Sequence, residues 1–156
     1  MFFAIVIYAA AIILANHLVS VFGPAITPVN AFVLIGLDLA LRDWLHFKLK
    51  VWQMGALIFT TGAITYLLNP AAGQIAVASA VAFTVAAVVD WLVFAKLKGS
   101  WMFRSNASNS AGAAVDSLVF PTLAFGSLMP SIVIAQFVAK VAGGALWTFI
   151  LRKRMP

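Results

Sequence analysis

The chain has 156 residues, 64% of them hydrophobic and only 9% charged, with a formal net charge of +6 and no cysteine. A mean hydropathy of +1.07 excludes a soluble domain, whose surface needs far more polar residues. The missing cysteines exclude a disulfide framework and a thiolate metal centre. Two histidines and no glutamate offer no pattern for a His/carboxylate metal site, and in a membrane protein the positive charge marks cytoplasmic loops rather than a nucleic-acid surface.

Apolar stretches long enough to cross a bilayer, about 20 residues each, recur along the whole chain. In order, the predicted spans are roughly 2–22, 30–47, 52–69, 74–95, 106–127 and 131–151. The first has no basic run before it and is too long and uniform for a cleaved leader, so it reads as a permanent span. Gly23-Pro24 with Pro28, Asn69-Pro70 and Leu128-Met129-Pro130 break the first, third and fifth spans. These three connections carry no charge.

The remaining breaks are basic: Lys48 and Lys50, then Lys96, Lys98 and Arg104, then Arg152, Lys153 and Arg154, eight of the ten basic residues. The positive-inside rule therefore places both termini in the cytoplasm. Trp44, Trp52, Trp91, Trp101 and Trp147 fall near that side, where an interfacial belt holds them. No linker interrupts the spans, so residues 1–156 read as one six-helix, all-α bundle. Ala11 and Ala15 in span one have the spacing of close helix packing and equally of a docking face.

All four acids, Asp38, Asp43, Asp90 and Asp116, lie inside predicted spans, as do Arg42 and Lys140. A charge at the bilayer centre costs roughly 2.5–3.5 kcal/mol even on lenient insertion scales, so these groups must pair, protonate or touch a ligand. Arg42 is one turn from Asp38 and positioned to pair with it. Asp43 and Asp90 sit toward the cytoplasmic ends of their spans and read as interfacial anchors, with His46 in the same cluster. Asp116 is deep in span five, and Ser105, Asn109, Gly112 and Asp116 share one helical face. On that stripe Gly112 leaves room for an approaching group. Lys140 is positioned as a partner for Asp116 or Asp38, and Asp38, Arg42, Asp116 and Lys140 are expected to form one network. Asn16 and His17 lie two-thirds of the way through span one. A helix–helix hydrogen-bond seam is the plainer reading of these polar faces, and a ligand site the sharper one.

Asp38 and Asp116 are 78 residues apart, half the chain, each mid-span in the second helix of a three-helix half. Three spans per half would invert the second copy, a 3+3 pseudo-repeat that puts a site at the midplane. No nucleophile–base pair or phosphate loop appears, so a transporter fits better than an enzyme.

"FRSNASNSAGAAVDSLVFPTLAFG" resembles the fifth-helix signature of the vitamin-uptake-transporter (VUT) family, the queuosine-precursor transporters: a basic residue, Ser-Asn, a second small polar residue, then Asp-Ser/Thr and Phe. "AFTVAAVVDWLVFAKLK" resembles the family's fourth helix. Asn16, Asp38 and Lys140 fall where the family also carries polar residues. Arg42-Asp43-Trp44 departs from it, since many members have a glutamate one turn after the span-two aspartate and then Tyr-Gly.

The resemblance implies uptake of 7-deazaguanine precursors such as 7-cyano-7-deazaguanine across the bacterial inner membrane, with no cofactor, by a chain acting alone or as a homodimer among lipids. The residues implied to bind that purine-like base are Asn16, Asp38, Arg42, Asn106, Asn109, Asp116 and Lys140. A carboxylate accepts both donors of a guanine-like edge, and asparagines serve the opposite edge. Two other roles remain open: a substrate-binding subunit of an energy-coupling-factor importer, and a membrane interaction protein whose charges only fasten helices.

Overall fold

A computed structural model describes residues 2–46, 48–68, 70 and 73–152. Asn69, Lys153, Arg154 and the His46 side chain, all used in the sequence reading, lie outside the described residues. The chain folds as α1 (Phe2–Phe22), a 3-10 turn (Gly23–Ile26), α2 (Thr27–Asn30), a π-helical stretch (Ala31–Ile35), α3 (Gly36–His46), α4 (Val51–Leu68), α5 (Gly73–Lys96), α6 (Trp101–Phe125) and α7 (Pro130–Leu151). No strand occurs among the described residues.

Three helical stretches of the described residues are long and apolar enough to cross a membrane: Phe2–Leu45, Gly73–Lys96 and Pro130–Leu151. The first is a hairpin rather than one rod. Gly23 takes φ +66, a left-handed value that suits glycine, and the chain returns so that Asn30 Nδ2 donates to the Ala15 carbonyl at 3.0 Å.

Each helix buries one stripe at helical spacing. On α1 it is Tyr8, Ala11, Ile12, Ala15, Asn16 and Val19. Ala11 and Ala15 are each 4% exposed, so their small side chains serve packing inside the bundle and present no docking face. On α6 the stripe runs through Ser105, Asn109, Gly112 and Asp116, as the spacing predicts. The outward surface is apolar, with Phe3, Phe59 and Leu67 more than three-quarters exposed, and lipid tolerates such a surface where water would not.

The sequence places the start of the fifth span near residue 106; α6 begins at Trp101. Ser100 caps it, accepting from the Phe103 N–H at 3.3 Å, a capping interaction that needs no apolar residue. Its neighbour α5 runs antiparallel to it. Arg104 donates twice to the Phe94 carbonyl, at 3.2 and 2.8 Å, while at the other end Gln74 Nε2 donates to the Leu123 carbonyl at 3.2 Å. Between these ties Gly112 meets α5: a Cβ there would lie 3.2 Å from the Ala86 carbonyl oxygen. The space Gly112 leaves is filled by a helix backbone, not open to a ligand.

The π stretch and α3 cross α7 at glycine. A Cβ on Gly143 would lie 2.1 Å from the Phe32 carbonyl oxygen, and one on Gly36 would lie 2.6 Å from the Gly143 carbonyl carbon. Trp147 Nε1 then donates to the Val33 carbonyl at 3.0 Å, serving backbone in a stretch whose wider turn disturbs the regular ladder. Tyr8, Ile12, Leu41, Leu45, Met54 and Phe83 form one apolar cluster, on which Ala4 and Leu151 pack; the start of α1 and the end of α7 therefore share one end of the bundle. We call this the basic end, since Lys48, Lys50, Lys96 and Lys98 follow or precede the helices that meet there. Val19, Ile75, Ala78 and Ala124 form a second cluster at the proline end.

Candidate functional site

Two polar clusters lie along the inside of the bundle. The first is on the proline side. Lys140 Nζ contacts Asp116 Oδ2 at 2.6 Å and also donates to Gln136 Oε1 at 2.9 Å and Ser117 Oγ at 3.2 Å. An ammonium has three donors, so this cation is fully engaged. Pro121, inside α6, has no N–H for the Ser117 carbonyl one turn back, which loosens the ladder beside the ion pair.

A small cavity of about 30 Å³ opens against this pair, with Asn16, Asn30, Ser79, Phe83, Phe120 and Gln136 among its walls. That is far below the roughly 300–1,000 Å³ of small-molecule sites, so a ring-sized ligand fits there only once the lining helices move apart. Asn16 Nδ2 and Gln136 Nε2 are buried without a hydrogen-bond partner among the described residues. Asp116 meets Lys140 through Oδ2 alone, so Oδ1 remains for another donor.

The second cluster is toward the basic end. Asp43 accepts from Ser105 Oγ and from Asn109 Nδ2 at 2.9 Å. Arg42 Nη2 stands 4.0 Å from Asp90 Oδ2, and Arg42 Nε, Arg42 Nη2 and Asp90 Oδ1 make no hydrogen bond. These three charged residues edge a much larger, mostly apolar cavity of about 740 Å³ between α4 and α5.

The structure corrects several expectations. Asp43 and Asp90 are 5% and 2% exposed; they are interior residues, not interfacial anchors, because α6 lays Ser105 and Asn109 over one and α3 lays Arg42 toward the other. Arg42 makes its ion contact with Asp90 of α5 and not with Asp38, since tertiary packing outweighs the one-turn spacing. Asn106 reaches neither cavity: its amide donates to the Met102 carbonyl of its own helix at 2.8 Å. Asn109 serves the second cluster. Of the seven residues expected to bind a ligand, Asn16, Asp116 and Lys140 are together at the smaller cavity.

The expected network of Asp38, Arg42, Asp116 and Lys140 is split: Asp116 pairs with Lys140, Arg42 pairs with Asp90 from outside that set, and Asp38 pairs with neither. Asp38 is fully buried and feels Arg42 on one side and Asp116 and Lys140 on the other. Tyr8 approaches it from α1, but neither Asp38 oxygen makes a hydrogen bond of ordinary geometry. The sequence reading missed Gln136, Asn30, Ser79 and Tyr8. Only Gln136 carried a usable signal, lying one turn before Lys140 on the same face.

A family model described as "Putative vitamin uptake transporter" matches residues 1–152. No curated protein and no solved structure matches the chain.

Proposed function

Because the chain belongs to the vitamin-uptake-transporter family, an α-helical group of membrane transporters, we infer that it imports a 7-deazaguanine or related purine-like base, bound in the smaller cavity. The observation that carries this reading is the set of unspent groups there. Asp116 has a free carboxylate oxygen, and Asn16 and Gln136 each have an unpartnered amide N–H. A guanine-like ring has two adjacent donors on one edge and acceptors on the other. Asp116 Oδ1, with the remaining lone pair of Oδ2, accepts from the donor edge. Asn16 on α1 and Gln136 on α7 donate to the acceptor side, and Phe83 and Phe120 offer flat apolar faces for stacking.

The same reading takes the chain as six spans in two inverted halves of three, both ends cytoplasmic, in a bacterial inner membrane, acting alone or as a homodimer. A reporter fused after Met155 and active only on the far side of that membrane would overturn the topology. A pure fastening role for the charges is disfavoured by buried donors with nothing to fasten, each of which costs free energy unless a ligand or water satisfies it. The burial of Ala11 and Ala15 removes the feature that favoured a docked coupling module.

Thermal unfolding of the purified protein with 7-cyano-7-deazaguanine tests the site. Ligand at 100 times its Kd adds about 2.7 kcal/mol to a binder's stability. The shift is expected in the wild type and in Asp90→Asn, and lost in Asp116→Asn. A shift that survives in Asp116→Asn and vanishes in Asp90→Asn moves the site to the other cluster.

A further inference from the structure

The buried interior holds four carboxylates, Asp38, Asp43, Asp90 and Asp116, against two bases, Arg42 and Lys140. Three of the acids are accounted for. Asp116 has Lys140 at 2.6 Å, Asp90 has Arg42 at 4.0 Å, and Asp43 has the Ser105 and Asn109 donors. Asp38 has none of these. Its two oxygens are buried and, beside the Tyr8 hydroxyl, make no hydrogen bond of ordinary geometry among the described residues, although an ionised carboxylate away from water needs donors more than any neutral group does. A carboxylic acid in the same position needs far less.

Its place is as informative as its partners. Asp38 is one turn from Arg42, which edges the large cavity at the basic end, and it is electrostatically linked to Asp116 and Lys140, which edge the small cavity at the other. It lines neither cavity. The groups that face it are Tyr8 from α1, Arg42 from its own helix, Asp116 from α6 and Lys140 from α7. Asp90 of α5 stands 4.0 Å from Arg42. A change of charge at Asp38 is therefore felt by both ion pairs at once.

We propose that Asp38 is the proton-binding site of the transporter, loaded from one side of the membrane and emptied to the other, so that ligand uptake is coupled to proton entry. The inference rests on the transport reading above. When the small-cavity side opens far enough for water to reach Asp38, a hydronium ion gives its proton to an Asp38 oxygen, forming the O–H and removing one of the two surplus negative charges from the interior. The less charged interior then rearranges with ligand aboard. When the side facing Arg42 opens, the guanidinium favours the carboxylate, water accepts the proton, and ligand leaves by the same opening. No oxidant, reductant or co-reactant is needed.

Two measurements test this. The first needs no ligand: infrared spectra of the purified protein, recorded across pH, are compared with those of Asp38→Asn and Asp90→Asn. A carboxylic-acid carbonyl band that titrates in the wild type and in Asp90→Asn, and is missing in Asp38→Asn, is the expected result. No band assignable to Asp38 overturns the proposal.

The second uses vesicles holding the purified protein and radiolabelled 7-cyano-7-deazaguanine. A tenfold proton gradient, alkaline inside, is expected to raise accumulation up to about tenfold at one proton per ligand. In Asp38→Asn the gradient is expected to have no effect, while exchange of labelled for unlabelled base at equal concentrations stays at half the wild-type rate or more. Loss of exchange and gradient response together, with normal folding, assigns Asp38 a structural role and overturns the proposal. If the variant does not fold, the wild type decides: accumulation indifferent to the gradient overturns it. Wild-type vesicles that take up no base, with the Asp38 band present, sink the substrate reading and leave the proton site standing.

Discussion

The two polar clusters are made from the same ingredients and finish in opposite states. On the proline side the cation is spent: Lys140 has three partners, one of them Asp116 at 2.6 Å. What is left over is a carboxylate oxygen and two amide donors facing a small cavity of about 30 Å³. At the basic end the cation is unspent. Arg42 is 4.0 Å from Asp90 with two nitrogens unbonded, while Asp43 is held by Ser105 and Asn109. The difference teaches that a buried cluster is read by its remainder. A tight pair with free hydrogen-bonding edges is suited to recognising a neutral ring, and a loose pair beside a large cavity is suited to rearrangement.

The comparison is most exposed to the removal of its cations. Lys140→Met leaves the Asp116 charge buried and unpaired, a change that costs about 3–5 kcal/mol. Arg42→Met is expected to cost clearly less, because the contact it removes is already long. Thermal midpoints in one detergent check the order, and Arg42→Met as the more damaging change would invert the contrast. Adding Asp116→Asn to Lys140→Met is expected to recover part of the loss, since it removes the stranded charge.

Ligand affinity separates the clusters next. Asp116→Asn is expected to weaken binding of 7-cyano-7-deazaguanine by about 1–3 kcal/mol, roughly 5- to 150-fold in Kd by titration calorimetry. Asp43→Asn is expected to leave it within about twofold, since Asp43 touches only Ser105 and Asn109 and sits outside the small cavity. A comparable loss in both would merge the two sites into one.

Within the small cavity, Gln136→Leu removes one donor and should cost about 0.5–1.5 kcal/mol of affinity. The weakest change is Asn106→Ala. Its amide bonds only within α6, so both stability and affinity are expected to stay within about 0.5 kcal/mol of wild type. A larger drop in affinity would return Asn106 to the binding residues.

Much of this interior was legible in the sequence because helical periodicity is. Ser105, Asn109, Gly112 and Asp116 fall on one face by spacing alone, and a lysine at the depth of Lys140 has few alternatives to a carboxylate. What spacing cannot carry is the identity of the neighbour. Arg42 sits one turn from Asp38, yet its long side chain reaches Asp90 of α5. Asp43 and Asp90 lie near helix ends, and distance along a helix does not say whether another helix covers that end. Asn30 and Ser79 are uncharged, so nothing forces them to stand out from an apolar span. The start of α6 was hidden because Arg104, Ser105 and Asn106 interrupt the apolar pattern just after Trp101–Phe103, and a reading keyed to long apolar runs starts after them.

The glycine crossing of α3 and α7 has a consequence best put in genetic terms. At Gly36 and Gly143 the nearest atoms to any added carbon are backbone, closer than real contacts allow, so no side chain, not even a methyl group, fits without moving a helix. Gly55 has nothing within 4 Å. A saturation library selected for retained transport function should therefore be empty at positions 36 and 143 and well populated at 55. The two empty columns would look like those of binding residues, although neither glycine is among the residues of either cavity.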